Sequence, residues 1–335
     1  MDFLQEIVKE VGNEYTKLAS DIEETEEFVD TGSYIFNGLV SGSIFGGVSG
    51  NKITAIAGES STGKTFFSLA VVKNFLDSNP DGYCLYFDTE AAVNKSLLAD
   101  RGLDLNRVVV SNVVTVEQFR SQALRAVDMY LKKPEDERKP VMFVLDSLGM
   151  LSTEKEIKDA IDDKQVRDMT KSQLIKGAFR MLTLKLGQAR IPLIVTNHTY
   201  DVIGSYVPTK EMGGGSGLKY ASSTIIYLSK KKEKDGTEVI GNLIKAKTHK
   251  SRLSKENKDV TVRLYYDDRG LDRYYGLLEL GEIGGLWKNV AGRYEIDGKK
   301  VYAKAIYKDP ESYFTEEVME KLDQIAQKEF SYGES

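Results

Sequence analysis

The segment Gly58–Thr65, Gly-Glu-Ser-Ser-Thr-Gly-Lys-Thr, is the feature that most constrains how this chain can fold. It matches the P-loop pattern G-x-x-x-x-G-K-[ST] and stands between a strand-like run at Lys52–Ala57 and an apolar helix-like run at Phe66–Phe75. In such a loop, backbone N–H groups surround phosphates, the lysine reaches the β- and γ-phosphates, and the last hydroxyl ligates Mg²⁺. A flexible Gly/Ser turn before a helix is the alternative. The residues expected to surround the phosphates are Glu59, Ser60, Ser61, Thr62, Gly63, Lys64, Thr65 and Phe66, with Thr65 on the metal.

The composition is that of a globular protein with one α/β core and a small appended unit, since the chain has 335 residues of which 41% are hydrophobic and 29% charged. No apolar run approaches the ~20 residues that cross a bilayer. No secretory leader is expected, because the N-terminus lacks a basic stretch followed by an apolar one. These features predict a cytoplasmic protein without a membrane partner.

Cysteine and histidine are scarce. Cys84 is the only cysteine, and His198 and His249 are the only histidines, which argues against an internal disulfide and a zinc centre. The net charge of −5 is unevenly spread, because residues 21–30 are acidic whereas residues 230–258 are rich in Lys and Arg. Nucleic-acid binding needs only a local basic track, although a solvated surface explains such a cluster equally well.

Three regions follow one another along the chain. Residues 1–32 are predicted to form an arm, with an amphipathic helix over residues 2–20 that docks either on its own domain or on a neighbouring subunit. Residues 33–270 alternate strand-like and helix-like runs, which predicts a mostly parallel sheet with helices on both faces. The last two long strands of this region suggest an antiparallel extension. Residues 271–335 are predicted to be a small C-terminal α/β unit of helix, hairpin and helix.

Two segments have no assigned structure. Thr153–Arg167 is strongly charged, and Tyr200–Lys219 is rich in glycine without an apolar period. Unstructured stretches of this length within a compact domain are usually functional or disordered.

Two apolar strands end in carboxylates. Val141–Asp146 has the Walker B pattern, so Asp146 is expected to hold Mg²⁺ at the carboxyl end of its strand. Tyr83–Glu90 is similar, and Glu90 is the candidate general base that polarises the attacking water. A helix-capping carboxylate is the alternative, for which Asp88 is the better candidate.

Two further strand ends carry polar groups. Ile191–His198 places His198 just before the glycine-rich segment, where a contact with the γ-phosphate could pass nucleotide state to a mobile loop. A structural histidine is the alternative. Lys250 and Arg252 share a face of a late strand and could act as fingers on a neighbour's γ-phosphate, or simply form an exposed basic strand end.

Taken together, these motifs resemble those of the RecA-type recombinases and, within that family, of the UvsX recombinases of tailed phages. The resemblance covers roughly residues 30 to 310. The P-loop is generic, whereas the histidine, the glycines and the cation pair are more specific. The segments that carry the resemblance are residues 58–65, Phe87–Glu90, Leu145–Gly149, Asn197–Tyr200, Met212–Gly215, Lys250–Arg252, 275–278 and 291–299.

The resemblance implies a DNA-dependent ATPase with a RecA-like P-loop core, which forms a filament on single-stranded DNA and promotes homologous pairing and strand exchange. ATP with Mg²⁺ would lie between protomers, with Glu90 and Lys64 catalytic, His198 sensing the γ-phosphate, and Lys250 and Arg252 reaching in from the neighbour. The arm, residues 2–30, would pack on the adjacent protomer, with Phe28–Val29 added to the edge of its sheet.

The two unassigned segments match the family's DNA-binding loops. Expected DNA contacts are Lys171, Gly213, Gly214, Gly215 and Lys219, with Tyr200 or Tyr206 able to stack on bases. The implied partners are single- and double-stranded DNA, further copies of the chain, a single-strand-binding protein and a recombination mediator. Asn94 and Leu97 stand where bacterial RecA has an Asp and a Tyr near the adenine.

Three other functions fit the P-loop. They are a hexameric helicase with a RecA fold, a nucleotide-binding adaptor without turnover, and a small-molecule kinase. Closed rings would identify the helicase, and negligible DNA-stimulated ATP turnover the adaptor. ATP turnover that does not respond to DNA would identify the kinase.

Overall fold

A computed structural model of the chain describes residues 3–12, 16–21, 27–164, 169–202, 210–267, 269–296 and 298–333. The strands are β1 Phe28–Val29, β2 Val48–Ser49, β3 Ile53–Gly58, β4 Tyr83–Asp88, β5 Val108–Asn112, β6 Val141–Asp146, β7 Leu193–Asp201, β8 Lys210–Met212, β9 Thr224–Asp235, β10 Glu238–Ser251, β11 Asp259–Tyr265, β12 Lys288–Val290, β13 Arg293–Ile296 and β14 Lys299–Tyr302. The helices are α1 Phe3–Glu10, α2 Tyr34–Ser41, α3 Lys64–Ser78, α4 Lys95–Asp100, α5 Val116–Leu131, α6 Glu154–Ile161, α7 Lys171–Ala189, α8 Ser216–Ala221, α9 Leu277–Ile283, α10 Ala303–Lys308 and α11 Glu316–Phe330.

A large central sheet has the strand order β11-β10-β9-β3-β7-β6-β4-β5, with β8 paired to β7 beside this path. The six strands from β9 to β5 in this order are parallel, whereas β10 and β11 continue the sheet in antiparallel fashion. The predicted α/β fold, with its mostly parallel sheet and antiparallel extension, is therefore confirmed.

Both faces of the sheet are buried, as the unbroken apolar character of its central strands requires. Along β6, Met142 and Val144 join the hydrophobic cluster that contains the buried side chains of α2 and α3. Phe143 and Leu145 join a second cluster, on the other face, that contains those of α5 and α7. Side chains alternate between the faces because the side-chain period of a strand is two.

The N-terminal arm differs from its prediction. The helix α1 ends at Glu10 and does not extend to residue 20, because Val11 and Gly12 leave the helical conformation and glycine is a poor helix former. No side chain of α1 is buried in the single chain, and Phe3 is 70% exposed. Residues 13–15 and 22–26 lie outside the described residues.

The strand Phe28–Val29 pairs with Val48–Ser49 of the same chain. This pairing uses one edge of the strand, and its addition to the sheet of a neighbouring copy stays a prediction. The pairing buries Val29 and Val48 in the cluster beneath α2 and α3, which holds the end of the arm against its own core.

The C-terminal unit has the predicted helix, hairpin and helix, with β12, β13 and β14 forming an antiparallel sheet. Asp297, at the predicted hairpin turn, lies outside the described residues. Trp287 and Leu322 belong to the same buried cluster as Phe36 and Phe67 of the core, so this unit and the core share one hydrophobic interior. A domain boundary at residue 271 stays a prediction. None of the helices in the described part of the chain has the length and apolar character needed to span a membrane.

Candidate nucleotide-binding site

Parallel pairing brings the strand ends named above to one edge of the sheet. Gly58 is level with His198, and Asp88 is level with Asp146. The loop 59–63 connects β3 to the N-terminus of the 15-residue helix α3 at this edge. Free backbone N–H groups and the helix dipole favour an anion there. Gly63 has φ of 90°, a left-handed conformation that glycine adopts without strain.

Lys64 is folded back over the loop. Its Nζ donates to the carbonyl oxygens of Gly58, at 3.0 Å, and Glu59, at 2.8 Å. Burial lowers the pKa of Lys64, and the nearby carboxylates of Asp146 and Glu90 oppose that shift. A cation that has only carbonyls as partners in a partly desolvated cleft is well suited to phosphate.

Asp146 and Thr65, the two predicted metal ligands, are in direct contact. The Thr65 hydroxyl donates to Asp146 Oδ2 at 2.7 Å, and the Tyr86 hydroxyl donates to the same oxygen at 2.8 Å. The Thr196 hydroxyl donates to Oδ1. Burial, followed by the charge of Asp146, raises the pKa of Tyr86, so it stays a neutral donor. Tyr86 and Thr196 hold the carboxylate so that it faces Thr65. Neither residue was predicted from the sequence to belong to the site.

This pair of oxygen ligands fits Mg²⁺. Mg²⁺ is commonly held by one or two protein oxygens and completes its shell with phosphates and water. Among the described residues there is no cluster of three or more His, Cys, Asp or Glu side chains that could hold a metal without such help.

Glu90 lies beside this pair and has two polar neighbours. The Ser147 hydroxyl donates to Glu90 Oε1 at 3.0 Å, and His198 Nε2 lies 3.3 Å from the same oxygen. Asp88 does not compete for this role, because its carboxylate accepts from the backbone N–H groups of Glu90 and Val93, both at 3.0 Å. Asp88 thus stabilises the turn after β4, and Glu90 is directed toward the cleft.

These side chains line a cavity of about 360 Å³. Six of the eight predicted P-loop contacts are in its wall, whereas Glu59 and Thr62 are not. Instead, Glu59 forms an ion pair with Lys210, and the Thr62 hydroxyl donates to the Glu59 carbonyl at 2.9 Å. The full lining is Ser60, Ser61, Gly63, Lys64, Thr65, Phe66, Glu90, Asp146, His198, Lys230, Asn242, Leu264, Tyr265 and Tyr266.

Five of the lining residues were missed from the sequence. Lys230, Asn242, Leu264, Tyr265 and Tyr266 come from β9, β10, β11 and the residue after β11. The strands β9 and β11 run in the same direction as β3, since β10 is antiparallel to each of them, and both continue past the end of β3. The tyrosines at the end of a predicted strand were the signal that could have identified this wall.

His198 is connected to the glycine-rich segment. The Asn197 side-chain amide donates to the Gly213 carbonyl at 2.8 Å, and the Gly213 N–H donates to the His198 carbonyl at 3.0 Å. A methyl group added at Gly214 would lie only 3.2 Å from Leu148 Cδ2, so this position leaves little room for a side chain. Gly213 is therefore joined to the end of β7 by two hydrogen bonds, one with the backbone of His198 and one with the side chain of Asn197.

The other predicted DNA contacts are spread along this surface. Lys171 begins α7 and lies 3.8 Å from Glu156, whereas Lys219 lies in α8. Tyr200 is exposed in β7, and Tyr206 lies outside the described residues, as do all of residues 165–168 and 203–209.

The segment Thr153–Arg167 is partly helical. Thr153 and Glu156 form a capping box at the start of α6, in which the Thr153 hydroxyl accepts from the Glu156 N–H at 2.9 Å. The order Thr-x-x-Glu was the sequence signal for this helix.

Lys250 and Arg252 lie at the opposite edge of the sheet. The Arg252 N–H donates to the carbonyl oxygen of Ser223, and the Ser223 N–H donates to the carbonyl oxygen of Ile53, at the amino end of β3. Five residue steps separate Ile53 from Gly58, which is ~16 Å along a parallel strand. Arg252 therefore cannot serve the phosphate site of its own chain. Lys250 is level with Ala55, ~10 Å from Gly58 along the strand, and its Nζ is bonded to carbonyl oxygens of Lys219 and Ser222 and not to the loop.

The two cations have different surroundings. Lys250 Nζ donates to the carbonyls of Lys219 and Ser222, at 2.8 and 2.7 Å, and so caps the end of α8. Burial lowers the pKa of Lys250, and the charge of Arg252 adds to the effect. Arg252 lines a groove of about 770 Å³ with Lys176 and Arg180 of α7.

The chain matches known proteins over most of its length. Residues 2–272 match the family described as RecA N-terminal domain. The "Recombination and repair protein" of Enterobacteria phage T4 is 33% identical over 277 residues, which are 82% of this chain and 69% of that protein. "Protein RecA" of Arthrobacter sp. (strain FB24) is 27% identical over 301 residues, 89% of this chain and 81% of the relative. The chain belongs to the RecA family of recombinases.

Proposed function

We propose that this RecA-family protein is a DNA-dependent ATPase that assembles head to tail on single-stranded DNA and promotes homologous pairing and strand exchange. One observation carries the proposal. The phosphate-binding edge and Arg252 lie at opposite edges of one sheet, ~16 Å apart along β3, so a site that uses Arg252 needs two copies of the chain.

Nucleotide binding uses the groups at the carboxyl edge. Lys64 exchanges the carbonyls of Gly58 and Glu59 for phosphate oxygens, and the backbone N–H groups of the loop donate hydrogen bonds to the other phosphate oxygens. Thr65 and Asp146 would hold Mg²⁺, which supplies charge neutralisation on the phosphates when bound.

Hydrolysis requires an oriented water. Glu90 accepts a hydrogen bond from that water and takes its proton as the water oxygen attacks the γ-phosphorus. The bond from the γ-phosphorus to the β,γ-bridging oxygen breaks, and ADP leaves with that oxygen. Ser147 holds the carboxylate in place through its 3.0 Å hydrogen bond. His198, 3.3 Å from the same carboxylate, contacts the terminal phosphate and thereby senses its loss.

DNA binding follows from the connection between His198 and Gly213. A shift of His198 moves the two hydrogen bonds that hold Gly213, and with them the glycine-rich segment. Gly213–Gly215, Lys171 and Lys219 contact backbone phosphates, so affinity has little dependence on sequence and falls as salt rises. The exposed apolar face of α1 covers part of the adjacent copy, because no side chain of α1 is buried in its own chain.

The test is an ATPase assay with and without single-stranded DNA, together with electron microscopy of the same samples. We expect DNA-stimulated hydrolysis and open helical filaments with a non-hydrolysable ATP analogue. Lys64→Ala should remove both. Closed rings would support a helicase. ATP turnover that does not depend on DNA would support a kinase, and DNA binding without ATP turnover would support an adaptor. Protein that stays monomeric with analogue and DNA together would refute the proposal.

A further inference from the structure

The side chain of Lys230 faces the P-loop. Along β9, Ile226 and Leu228 belong to the hydrophobic cluster that contains α3, and Leu228 is level with Gly58 at the end of β3. Alternation places Lys230 on that same face, two residues beyond the end of β3. The next residue, Lys231, faces the other side of the hairpin that β9 forms with β10.

Lys230 contacts the middle of the loop. Its Nζ donates to the carbonyl oxygen of Ser61 at 2.8 Å. Ser61 has φ of 59°, a left-handed conformation that non-glycine residues rarely adopt. Lys230 also lines the cavity of about 360 Å³ together with Lys64, Glu90 and His198.

The ammonium of Lys230 has no acidic partner. Within the described part of the chain, no carboxylate lies within 4.0 Å of it, and a peptide carbonyl is its hydrogen-bond acceptor. Its charge is close enough to Lys64 to help lower the pKa of that residue, although burial is the main cause. Two cations that face one cavity repel each other, and an anion placed between them relieves that repulsion.

We propose that Lys230 is a second phosphate-binding residue of the site, which releases the Ser61 carbonyl and contacts the terminal phosphate of a bound nucleoside triphosphate. The inference rests on the proposed function. It assigns the terminal phosphate because Lys230 shares the cavity with Glu90 and His198, the groups that act on that phosphate. Lys230 would therefore discriminate triphosphate from diphosphate within a single chain, before any neighbour contributes a cation.

The experiment is calorimetric titration of the full-length protein without DNA, at a concentration where it is monomeric, with Mg²⁺ and either the β,γ-imido analogue of ATP or ADP. The variants are Lys230→Met and Lys230→Arg. The matched control is Lys231→Met, because Lys231 has the same charge and is also exposed. We expect Lys230→Met to weaken binding of the analogue by about tenfold or more, because it removes a charge-assisted hydrogen bond. Its effect on ADP should be several times smaller. Lys230→Arg should retain most of the affinity, and Lys231→Met should match the wild type.

Circular dichroism of each variant shows whether it is folded. If Lys230→Met unfolds, the polar variant Lys230→Gln takes its place, and the same larger loss for the analogue than for ADP is expected. Equal losses for analogue and ADP would overturn the proposal, since they would mean that Lys230 only supports the loop. Wild-type affinity of Lys230→Met would also overturn it. Lys64→Ala distinguishes failure of the Lys230 proposal from failure of the proposed function. If the wild type does not bind nucleotide, or if Lys64→Ala binds it as well as the wild type, the proposed function itself is refuted.

Discussion

Two inactive variants of this protein should restore each other's activity when mixed. Glu90→Gln removes the proposed base, and Arg252→Ala removes the proposed cation from the neighbour. Each alone should lose most of the DNA-dependent ATPase activity, and loss of an arginine finger typically costs ~10³-fold or more. Because ~16 Å of β3 separates Arg252 from the phosphate edge of its own chain, the two lesions in a mixture affect different interfaces.

The size of the recovery follows from that geometry. A site is intact when a protomer with wild-type Glu90 meets a neighbour with wild-type Arg252. In a random 1:1 assembly of the two variants, about one quarter of the interfaces satisfy this condition. The mixture should therefore hydrolyse ATP at about one quarter of the wild-type rate per protomer.

The assay is steady-state phosphate release on single-stranded DNA at several ratios of the two variants, with co-sedimentation to verify that both join the same filaments. The rate should be highest at equal amounts and should vanish at either extreme. A mixture that co-assembles and yet hydrolyses no faster than the sum of its separate components would refute action between chains. Arg252 is chosen over Lys250 because Lys250 also caps α8, so its removal would have a second effect.

Further predictions concern stability and reactivity. Phe119→Ala should lower the free energy of unfolding by about 3–5 kcal/mol in urea titrations, because this ring is fully buried and lies 5.1 Å from the ring of Phe87. Gly177→Ala should raise it by about 0.5–1 kcal/mol, since an added methyl group meets nothing within 4 Å and glycine disfavours a helix interior. In contrast, Gly217→Ala should destabilise by about 1–3 kcal/mol because its methyl group would lie 2.7 Å from the Lys176 backbone, and a neutral result would refute this packing. Cys84 should resist alkylation in the native protein and react on unfolding, because burial raises the pKa of its thiol.

The principal groups of the phosphate site could be predicted from the sequence because they come at the ends of strands. Parallel pairing forces such ends to one edge of a sheet, so Asp146, Glu90 and His198 converge without any knowledge of the loops. The presence of a hydrophobic core on each face of the sheet could also be predicted, because strands that are apolar throughout must be covered on both sides.

Site residues that do not lie at the end of a predicted parallel strand could not be predicted in this way. Tyr86 and Thr196 lie inside strands that look entirely structural, and only the pairing of β4, β6 and β7 brings their hydroxyls to Asp146. Lys230 is one of several lysines in a charged hairpin, and it is distinguished only by the register that places β9 next to β3. The length of α1 was overestimated because its apolar spacing continues past Gly12, where helical backbone does not.

Opposed placement of the phosphate edge and the Arg252 edge has a consequence for small assemblies. If each copy supplies Arg252 to the nucleotide site of its neighbour, the two ends of a row of copies differ. At one end, the terminal copy has a nucleotide site without an arginine from a neighbour. At the other end, the Arg252 of the terminal copy has no nucleotide site to contact. A row of any finite size then contains one fewer working site than it has members. Turnover per copy should consequently rise with the length of the oligonucleotide, and growth at the two ends should differ in its dependence on ATP.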